Sequence, residues 1–155
     1  MELRGKTAVI TGGTGGLGFE ICKALAKEGV HVCLVYKASK ELAWENVETL
    51  KKIGGDATAV QADITTEVGI DIMFEHAEKI FGGVDILVLD AAFNKSIAFS
   101  DIDALDKKTW EHIIHFNVTS AYLAVRKAAE YMRKRGGGRV VTISSVAGHQ
   151  PLGSS

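Results

Sequence analysis

The sequence predicts a single α/β domain, in which one parallel sheet is covered by helices on both faces. Short runs rich in Val and Ile, typical of strands buried on both faces, alternate with segments whose apolar residues recur at helical spacing. Such alternation forms right-handed crossovers and therefore a parallel, doubly wound sheet. The 155 residues suffice for one core, and no linker, repeat or low-complexity segment divides them.

Five strands are predicted, one for each short apolar run, at residues 7–10, 30–36, 57–60, 84–89 and 139–143. Helices are predicted between them at 16–28, 41–53, 67–81 and 106–135. The longest helix begins with Asp106 as its N-cap and ends at the glycines of 136–138. Its apolar stripe consists of Trp110, Ile113, Ile114, Val118, Ala121, Val125, Ala129 and Met132.

Composition excludes several classes of protein. The formal net charge of −1 disfavours nucleic acids and anionic membranes as partners, since both select a strongly basic face. Cys22 and Cys33 lie in apolar segments, which indicates buried, reduced thiols. Because residues 1–18 lack a signal-peptide pattern and no apolar stretch is long enough to span a bilayer, we expect a cytoplasmic protein.

A glycine-rich segment connects the first strand to the first helix and reads Thr11-Gly12-Gly13-Thr14-Gly15-Gly16-Leu17-Gly18. Glycines permit a sharp turn and a close approach of backbone to a pyrophosphate, which the free N–H groups of the helix then bind. We therefore predict a phosphate loop formed by Gly12, Thr14, Gly15, Gly16, Leu17 and Gly18. The alternative is a glycine-rich connection without a ligand. A Walker-type loop is disfavoured because no Gly-Lys-Ser/Thr follows.

The end of the second strand indicates which dinucleotide binds. A carboxylate there would bind the ribose 2′-hydroxyl of NAD, whereas a cation accommodates the 2′-phosphate of NADP. The sequence has Tyr36, Lys37 and Ser39 at this point and no carboxylate. NADP(H) is thus favoured over NAD(H), the alternative being that Lys37 is an ordinary surface lysine.

With these motifs the chain resembles the short-chain dehydrogenase/reductase family, whose fold is Rossmann-like. The loop matches its Thr-Gly-x-x-x-Gly-x-Gly form, and Asp63, followed by Ile64, matches the acidic residue that contacts the adenine. Asn117 resembles the active-site asparagine of the family, and Ser145 its substrate-orienting serine. Residue patterns alone leave two alternatives open: Asn117 as a buried amide that bridges backbone groups, and Ser145 as a turn serine, with Ser144 as a competitor.

The resemblance implies an NADP(H)-dependent oxidoreductase that transfers a hydride between nicotinamide and a small carbonyl compound or secondary alcohol, and that forms homo-oligomers. In the family a tyrosine exchanges the proton and a nearby lysine lowers its pKa. The rival interpretation is a shortened, non-catalytic nucleotide-binding or interaction module. No metal site is predicted, because His112 and His115 lack acidic or cysteine partners at useful spacing.

Two departures from the family pattern support that rival. Where the family carries Asn-Asn-Ala-Gly, this chain has Leu89-Asp90-Ala91-Ala92, so that Asp90, Ala91 and Ala92 would border the cofactor with a carboxylate and an extra methyl group. The sequence also ends at Ser155, before the Tyr-x-x-x-Lys of the family. We therefore expect the C-terminal part of the fold to be missing here. A bare helix stripe and a bare edge of the fifth strand would then favour self-association.

Overall fold

Five parallel strands form one sheet in the computed structural model, which describes residues 2–98 and 100–148. They are β1 (Thr7–Thr11), β2 (His31–Tyr36), β3 (Ala57–Gln61), β4 (Ile86–Leu89) and β5 (Arg139–Thr142). Their order in the sheet is β3-β2-β1-β4-β5, and every neighbouring pair is parallel. The predicted strands and the predicted parallel sheet are confirmed. The predicted fourth strand is two residues too long, since Val84 and Asp85 precede the ladder.

Helices connect the strands: α1 (Gly16–Lys27), α2 (Lys40–Ile53), α3 (Glu67–Phe81), α4 (Lys107–Ile114) and α5 (Ser120–Lys134). The predicted long helix is thus one helical run whose two parts are joined by a π turn at His115–Thr119. Asp106 caps α4 as predicted, its Oδ1 accepting a hydrogen bond of 2.7 Å from the Thr109 N–H. Among the described residues, no helix is both long and apolar enough to cross a membrane.

Helices cover both faces of the sheet, which confirms the doubly wound arrangement. Side chains alternate along β1, so that Ile10 faces α1 and α2 whereas Val9 faces α3 and α5. Cys22 and Cys33 are buried on opposite faces as free thiols, as predicted. Burial raises the pKa of each thiol to about 12, so both remain protonated at neutral pH.

The apolar stripe predicted for the long helix is buried only in part, at Met132 and Ala121. Trp110 (54% exposed), Ile114 and Val118 (58%) face outward. The face of α5 that packs on the sheet is made of Ser120, Ala124, Ala128, Tyr131 and Met132, of which only Met132 belongs to the predicted stripe. Its small residues let the helix lie close to β4. As expected, no described element covers Trp110, Val118 or the open edge of β5, whose four residues are all exposed.

An ionic cluster fixes the amino-terminal edge of the sheet. The carboxylate of Asp85, only 4% exposed, accepts a hydrogen bond of 3.0 Å from the Thr7 N–H. It also forms two bonds of 3.3 Å with the guanidinium of Arg135 and an ion pair of 3.6 Å with Lys6. Burial by itself would raise the pKa of Asp85, but the bonds from Thr7 and Arg135 hold that pKa below its usual range.

β1 lies where the strand order reverses, because β2 pairs with one side of it and β4 with the other. The chain therefore leaves β1 and β4 toward opposite sides of the sheet. In open α/β sheets this reversal opens a crevice at the carboxyl ends of the strands. The predicted phosphate loop begins there, directly after Thr11.

Candidate functional site

Two adjoining clefts open at the carboxyl ends of the strands. The first, which we call the β2 cleft, has a volume of about 480 Å³ and lies between the glycine loop and the ends of β2 and β3. The second, the β5 cleft, has a volume of about 680 Å³ and lies between the ends of β4 and β5 and the helical run near the π turn. Asp90, Ala91 and Ala92 border both clefts, so an extended ligand can pass from one to the other.

The glycine loop has the geometry of a phosphate cradle. Gly12 adopts φ +68°, and a Cβ there would lie 3.0 Å from the backbone of Ala91. A Cβ on Gly18 would overlap the carbonyl of Gly12. Both positions therefore require glycine if the loop is to close against α1 and the segment after β4. Gly15, at the N-cap of α1, supplies no side-chain cap, so the N–H groups of Gly16 and Leu17 at the start of the helix are available to an anion.

An ion pair spans the β2 cleft. Lys37 Nζ lies 2.8 Å from Asp63 Oδ2. The other carboxylate oxygen of Asp63 accepts bonds from the N–H (3.0 Å) and hydroxyl (2.6 Å) of Thr65. The bonds from Lys37 and Thr65 lower the pKa of Asp63 to about 2. Lys37 thus faces the cleft, although its predicted partner was a cofactor phosphate rather than Asp63.

Thr11 joins the glycine loop to the segment after β4. Its Oγ1 accepts hydrogen bonds from the backbone N–H of Asp90 (3.1 Å) and of Ala91 (3.2 Å) and donates one of 3.4 Å to the Val88 carbonyl. Sequence reasoning placed Thr11 at the start of the motif but not among the site residues. The fixed first position of Thr-Gly-x-x-x-Gly-x-Gly was the signal that could have identified it.

Asp90 is partly buried beside the loop, and its carboxylate accepts a hydrogen bond from the Gly18 N–H. Burial raises its pKa above the usual value, and the Gly18 bond opposes this only in part. The methyl group of Ala92 is exposed at the boundary of the two clefts.

Asn117 lies in the π turn and bonds the backbone of Phe93 in both directions. The Phe93 N–H donates to Asn117 Oδ1 (2.9 Å), and Asn117 Nδ2 donates to the Phe93 carbonyl (2.7 Å). The amide therefore bridges backbone groups between two elements, which was the alternative left open. Its predicted burial is wrong, because the β5 cleft opens onto this turn and leaves Asn117 exposed.

Ser145 borders the β5 cleft together with Ser144. Its Oγ accepts a hydrogen bond of 3.1 Å from the Ala147 N–H at the start of a short 3₁₀ turn. Since the oxygen acts as the acceptor in this bond, the hydroxyl hydrogen can be donated to an oxygen in the cleft. The serine is thus both a turn residue and a cleft residue.

The other predicted site residues fall into two groups, those that border a cleft and those that do not. Those that border the β2 cleft are Gly12, Thr14, Gly15, Tyr36, Lys37, Ser39, Asp63 and Ile64. Gly16, Leu17 and Gly18 border neither cleft: they form the first turn of α1, and Leu17 is 55% exposed. This turn can therefore bind an anion through its backbone N–H groups rather than through its side chains.

Two aromatic residues were missed. Phe93 and Phe116 line the β5 cleft, with ring centroids 6.0 Å apart, and Phe93 also makes an edge contact of 4.5 Å with His112. An apolar residue in a loop, such as Phe93, or at helical spacing, such as Phe116, gives no sign in the sequence that it faces a cleft rather than the core. His115 bonds the Thr65 carbonyl (2.8 Å). Within residues 2–98 and 100–148, no group of His, Cys, Asp and Glu is placed to hold a metal ion.

The chain is similar to known dehydrogenases over nearly its whole length. The family model described as short chain dehydrogenase matches residues 6–155. Glucose 1-dehydrogenase 2 of Bacillus subtilis is 35% identical over 152 residues, covering 97% of this chain and 57% of the relative. 3beta-hydroxysteroid dehydrogenase 1 of Eggerthella lenta is 34% identical over 146 residues, or 94% of this chain and 55% of the relative. The chain spans a little over half the length of these relatives.

Solved structures confirm the fold. The structure of a short chain dehydrogenase from Burkholderia cenocepacia in complex with NADP superposes with a TM-score of 0.85 at 30% identity. The match covers 99% of this chain and 61% of that one.

Proposed function

This chain belongs to the short-chain dehydrogenase family, and on that basis we propose that it holds the cofactor of an NADP(H)-dependent oxidoreductase. Its reaction would pass a hydride between nicotinamide and a carbonyl compound or a secondary alcohol. The observation that carries the proposal is the junction of the two clefts at Asp90–Ala92, with the uncapped start of α1 beside it. A dinucleotide is an extended molecule with a central pyrophosphate, and this arrangement fits that shape.

The residues of the two clefts and the glycine loop fit a dinucleotide cofactor. The cradle at Gly12 and Gly18 has no room for a Cβ, and the N-terminal N–H groups of α1 favour an anion. The β2 cleft would receive the adenosine half, with Asp63 and Ile64 beside the base. The β5 cleft would then receive the nicotinamide half and the substrate. The bound cofactor would supply the hydride chemistry.

Lys37 and Ser39 support a preference for NADP(H). Both border the β2 cleft directly after β2, where the chain carries no carboxylate for a ribose 2′-hydroxyl. Lys37 is bound to Asp63 through a largely exposed side chain (64% exposed), so that it can turn toward a 2′-phosphate at little energetic cost.

In the β5 cleft, Ser145 would donate its hydroxyl hydrogen to the reacting oxygen and so orient the substrate. Asn117 would act through Phe93, by fixing the backbone that forms one wall of the cleft. No tyrosine follows Ser145 in the 155 residues. We therefore assign to no residue of this chain the proton transfer that Tyr-x-x-x-Lys performs in the family.

Titration of the 155-residue chain with NADPH and with NADH, followed by nucleotide fluorescence, tests the proposal. We expect both to bind, and NADPH to bind roughly tenfold more tightly, because one charge-assisted bond to the 2′-phosphate contributes about 1.5 kcal/mol. Absence of binding by either nucleotide would contradict the proposed function. Equal affinities would contradict only the preference for NADP(H).

A further inference from the structure

The carboxylate of Asp90 lies beside Gly18 in the first turn of α1. It accepts the Gly18 N–H, and a Cβ on Gly18 would lie only 2.7 Å from Asp90 Oδ2. The backbone of Asp90 is in turn held by Thr11 Oγ1. The side chain is therefore fixed against the same helix end that the phosphate loop presents to an anion.

No described cation neutralises this carboxylate. Lys37, which borders the β2 cleft with Asp90, lies 2.8 Å from Asp63 and is already paired. The other titratable neighbour is Cys22 on α1, a buried thiol whose pKa of about 12 keeps it uncharged. The loop directs the Gly18 N–H toward the carboxylate, whereas Thr11 Oγ1 accepts only the backbone N–H of Asp90. Among the described residues, only the N-terminus of α1 thus offsets the negative charge of Asp90 beside the loop.

A pyrophosphate bound to the loop would lie close to the negative charge of the Asp90 carboxylate. Two anions that share one helix N-terminus repel each other, and the interaction is stronger beside a partly buried group than in open water. The acid form of Asp90 would keep the Gly18 bond through its carbonyl oxygen and remove the repulsion. An amide at this position, which the family pattern carries, would do the same.

We propose that Asp90 is an affinity-determining residue of the phosphate loop, whose ionised carboxylate competes with the cofactor pyrophosphate for the N-terminus of α1. Cofactor binding then takes up a proton at Asp90. This inference rests on the proposed function, since it requires that the loop bind a dinucleotide.

The direction of the pH dependence follows from two pKa values of Asp90, that in the free chain and that in the complex. Burial already raises the pKa of Asp90 in the free chain, and a bound pyrophosphate raises it further. Affinity is therefore highest below the pKa of the free chain and falls as pH rises from that value to the pKa of the complex. Asp63 does not contribute to this fall, because its pKa of about 2 keeps it ionised throughout.

Calorimetric titration with ADP-ribose tests the inference, because this probe carries the pyrophosphate but neither a 2′-phosphate nor a nicotinamide charge. It is titrated into the unaltered chain, Asp90→Asn and the control Glu20→Gln from about pH 5 to about pH 7.5 in buffers of different ionisation enthalpy. Glu20 is an exposed carboxylate on the same helix and forms an ion pair with Lys23. Asparagine keeps the acceptor for Gly18, and circular dichroism establishes that the variant is folded.

We expect the unaltered chain to take up protons on binding and to lose affinity as pH rises. Asp90→Asn should bind about threefold to tenfold more tightly near pH 7, with little pH dependence, whereas Glu20→Gln should follow the unaltered chain. A structural role for Asp90 alone would not produce proton uptake. Binding without proton uptake, or equal pH profiles for the unaltered chain and Asp90→Asn, would overturn the inference and leave the proposed function intact. Failure of all three chains to bind ADP-ribose would overturn both.

Discussion

Charged side chains at the two edges of the sheet differ in burial and therefore in their expected roles. At the carboxyl edge Lys37 and Asp63 form an exposed pair whose members a ligand can separate. At the amino edge Asp85 is almost fully buried and bonded to Thr7 and Arg135, so its removal leaves charges without partners. We therefore expect substitutions at the first edge to change binding and substitutions at the second to change stability.

Replacement of Lys37 should change the choice of cofactor. Lys37→Ala removes the cation expected at the 2′-phosphate, so the affinity for NADPH should fall about tenfold while that for NADH stays within about twofold. Fluorescence titration with both nucleotides measures this. Lys52→Ala, which removes an exposed lysine from the far end of α2, is the matched control. Parallel losses for both nucleotides would contradict a role at the 2′-phosphate.

Replacement of Asp85 should destabilise the fold. Asp85→Asn leaves Arg135 and Lys6 without a counter-charge, and we expect the free energy of unfolding at pH 7 to fall by about 3 kcal/mol. Because the pKa of Asp85 is lowered in the folded chain, its contribution is present above the unfolded pKa and is lost as pH falls through the folded value.

Urea unfolding at several pH values measures this loss. The difference between Asp85→Asn and the unaltered chain should shrink as pH falls below about 4. Asp56→Asn, at a carboxylate that is 73% exposed, should change stability by less than about 0.5 kcal/mol and serves as the control. Equal losses from both substitutions would argue against a specific role of the Asp85 cluster.

Among the elements, the helical run from α4 to α5 most directly links local structure to the site. Its π turn carries Asn117, and Ser120 closes the turn with a hydrogen bond of 2.9 Å to the His115 carbonyl. π turns occur often at functional sites because the extra residue changes the direction of the side chains near it. Here the turn brings Asn117 against the backbone of Phe93.

Loss of the Asn117 amide should loosen that wall of the β5 cleft. Asn117→Ala removes two hydrogen bonds to Phe93, so the unfolding free energy should fall by about 1 kcal/mol and the Phe93 amide should exchange faster with solvent. Hydrogen exchange followed by NMR measures the second effect at the residue itself. Val118→Ala, in the same turn at an exposed position, should leave the exchange of Phe93 unchanged.

Elements with strong local signals could be predicted from the sequence. α3 is found at the predicted residues, since Thr66 caps it by accepting the Gly69 N–H and Gly82, at φ +78°, ends it. The π turn could not be predicted, because a single wide turn inside a long helical pattern has no residue signal of its own. The same limit applies to the site: glycines and charges at strand ends are visible in the sequence, whereas the pairing of Lys37 with Asp63 depends on β2 and β3 being neighbours.

At the scale of the whole molecule, one side remains apolar and open within the described residues. Trp110, Val118 and Val125 of the stripe and all of β5 are exposed, including Val140 (40%) and Val141 (46%). An open strand edge beside an apolar surface is a template for association.

We therefore expect the 155-residue chain to self-associate. Light scattering over a range of concentrations should give an average mass that rises with concentration, and Val118→Lys, which places a charge in the stripe, should reduce the rise. Lys107→Ala, at the exposed start of α4, is the control and should not reduce it. A monodisperse monomer at high concentration would contradict this expectation.

The position of Thr11 also bears on the order in which the molecule is assembled during synthesis. β1, β2 and β3 are consecutive in the chain and adjacent in the sheet, so they can pair as soon as the first 61 residues leave the ribosome. The bonds from Asp90 and Ala91 to Thr11 bridge 79 and 80 residues, and they form only after β4 has been made. A nascent chain thus acquires three of the five strands of its sheet early and a closed glycine loop late, so that any capture of a nucleotide follows the docking of β4.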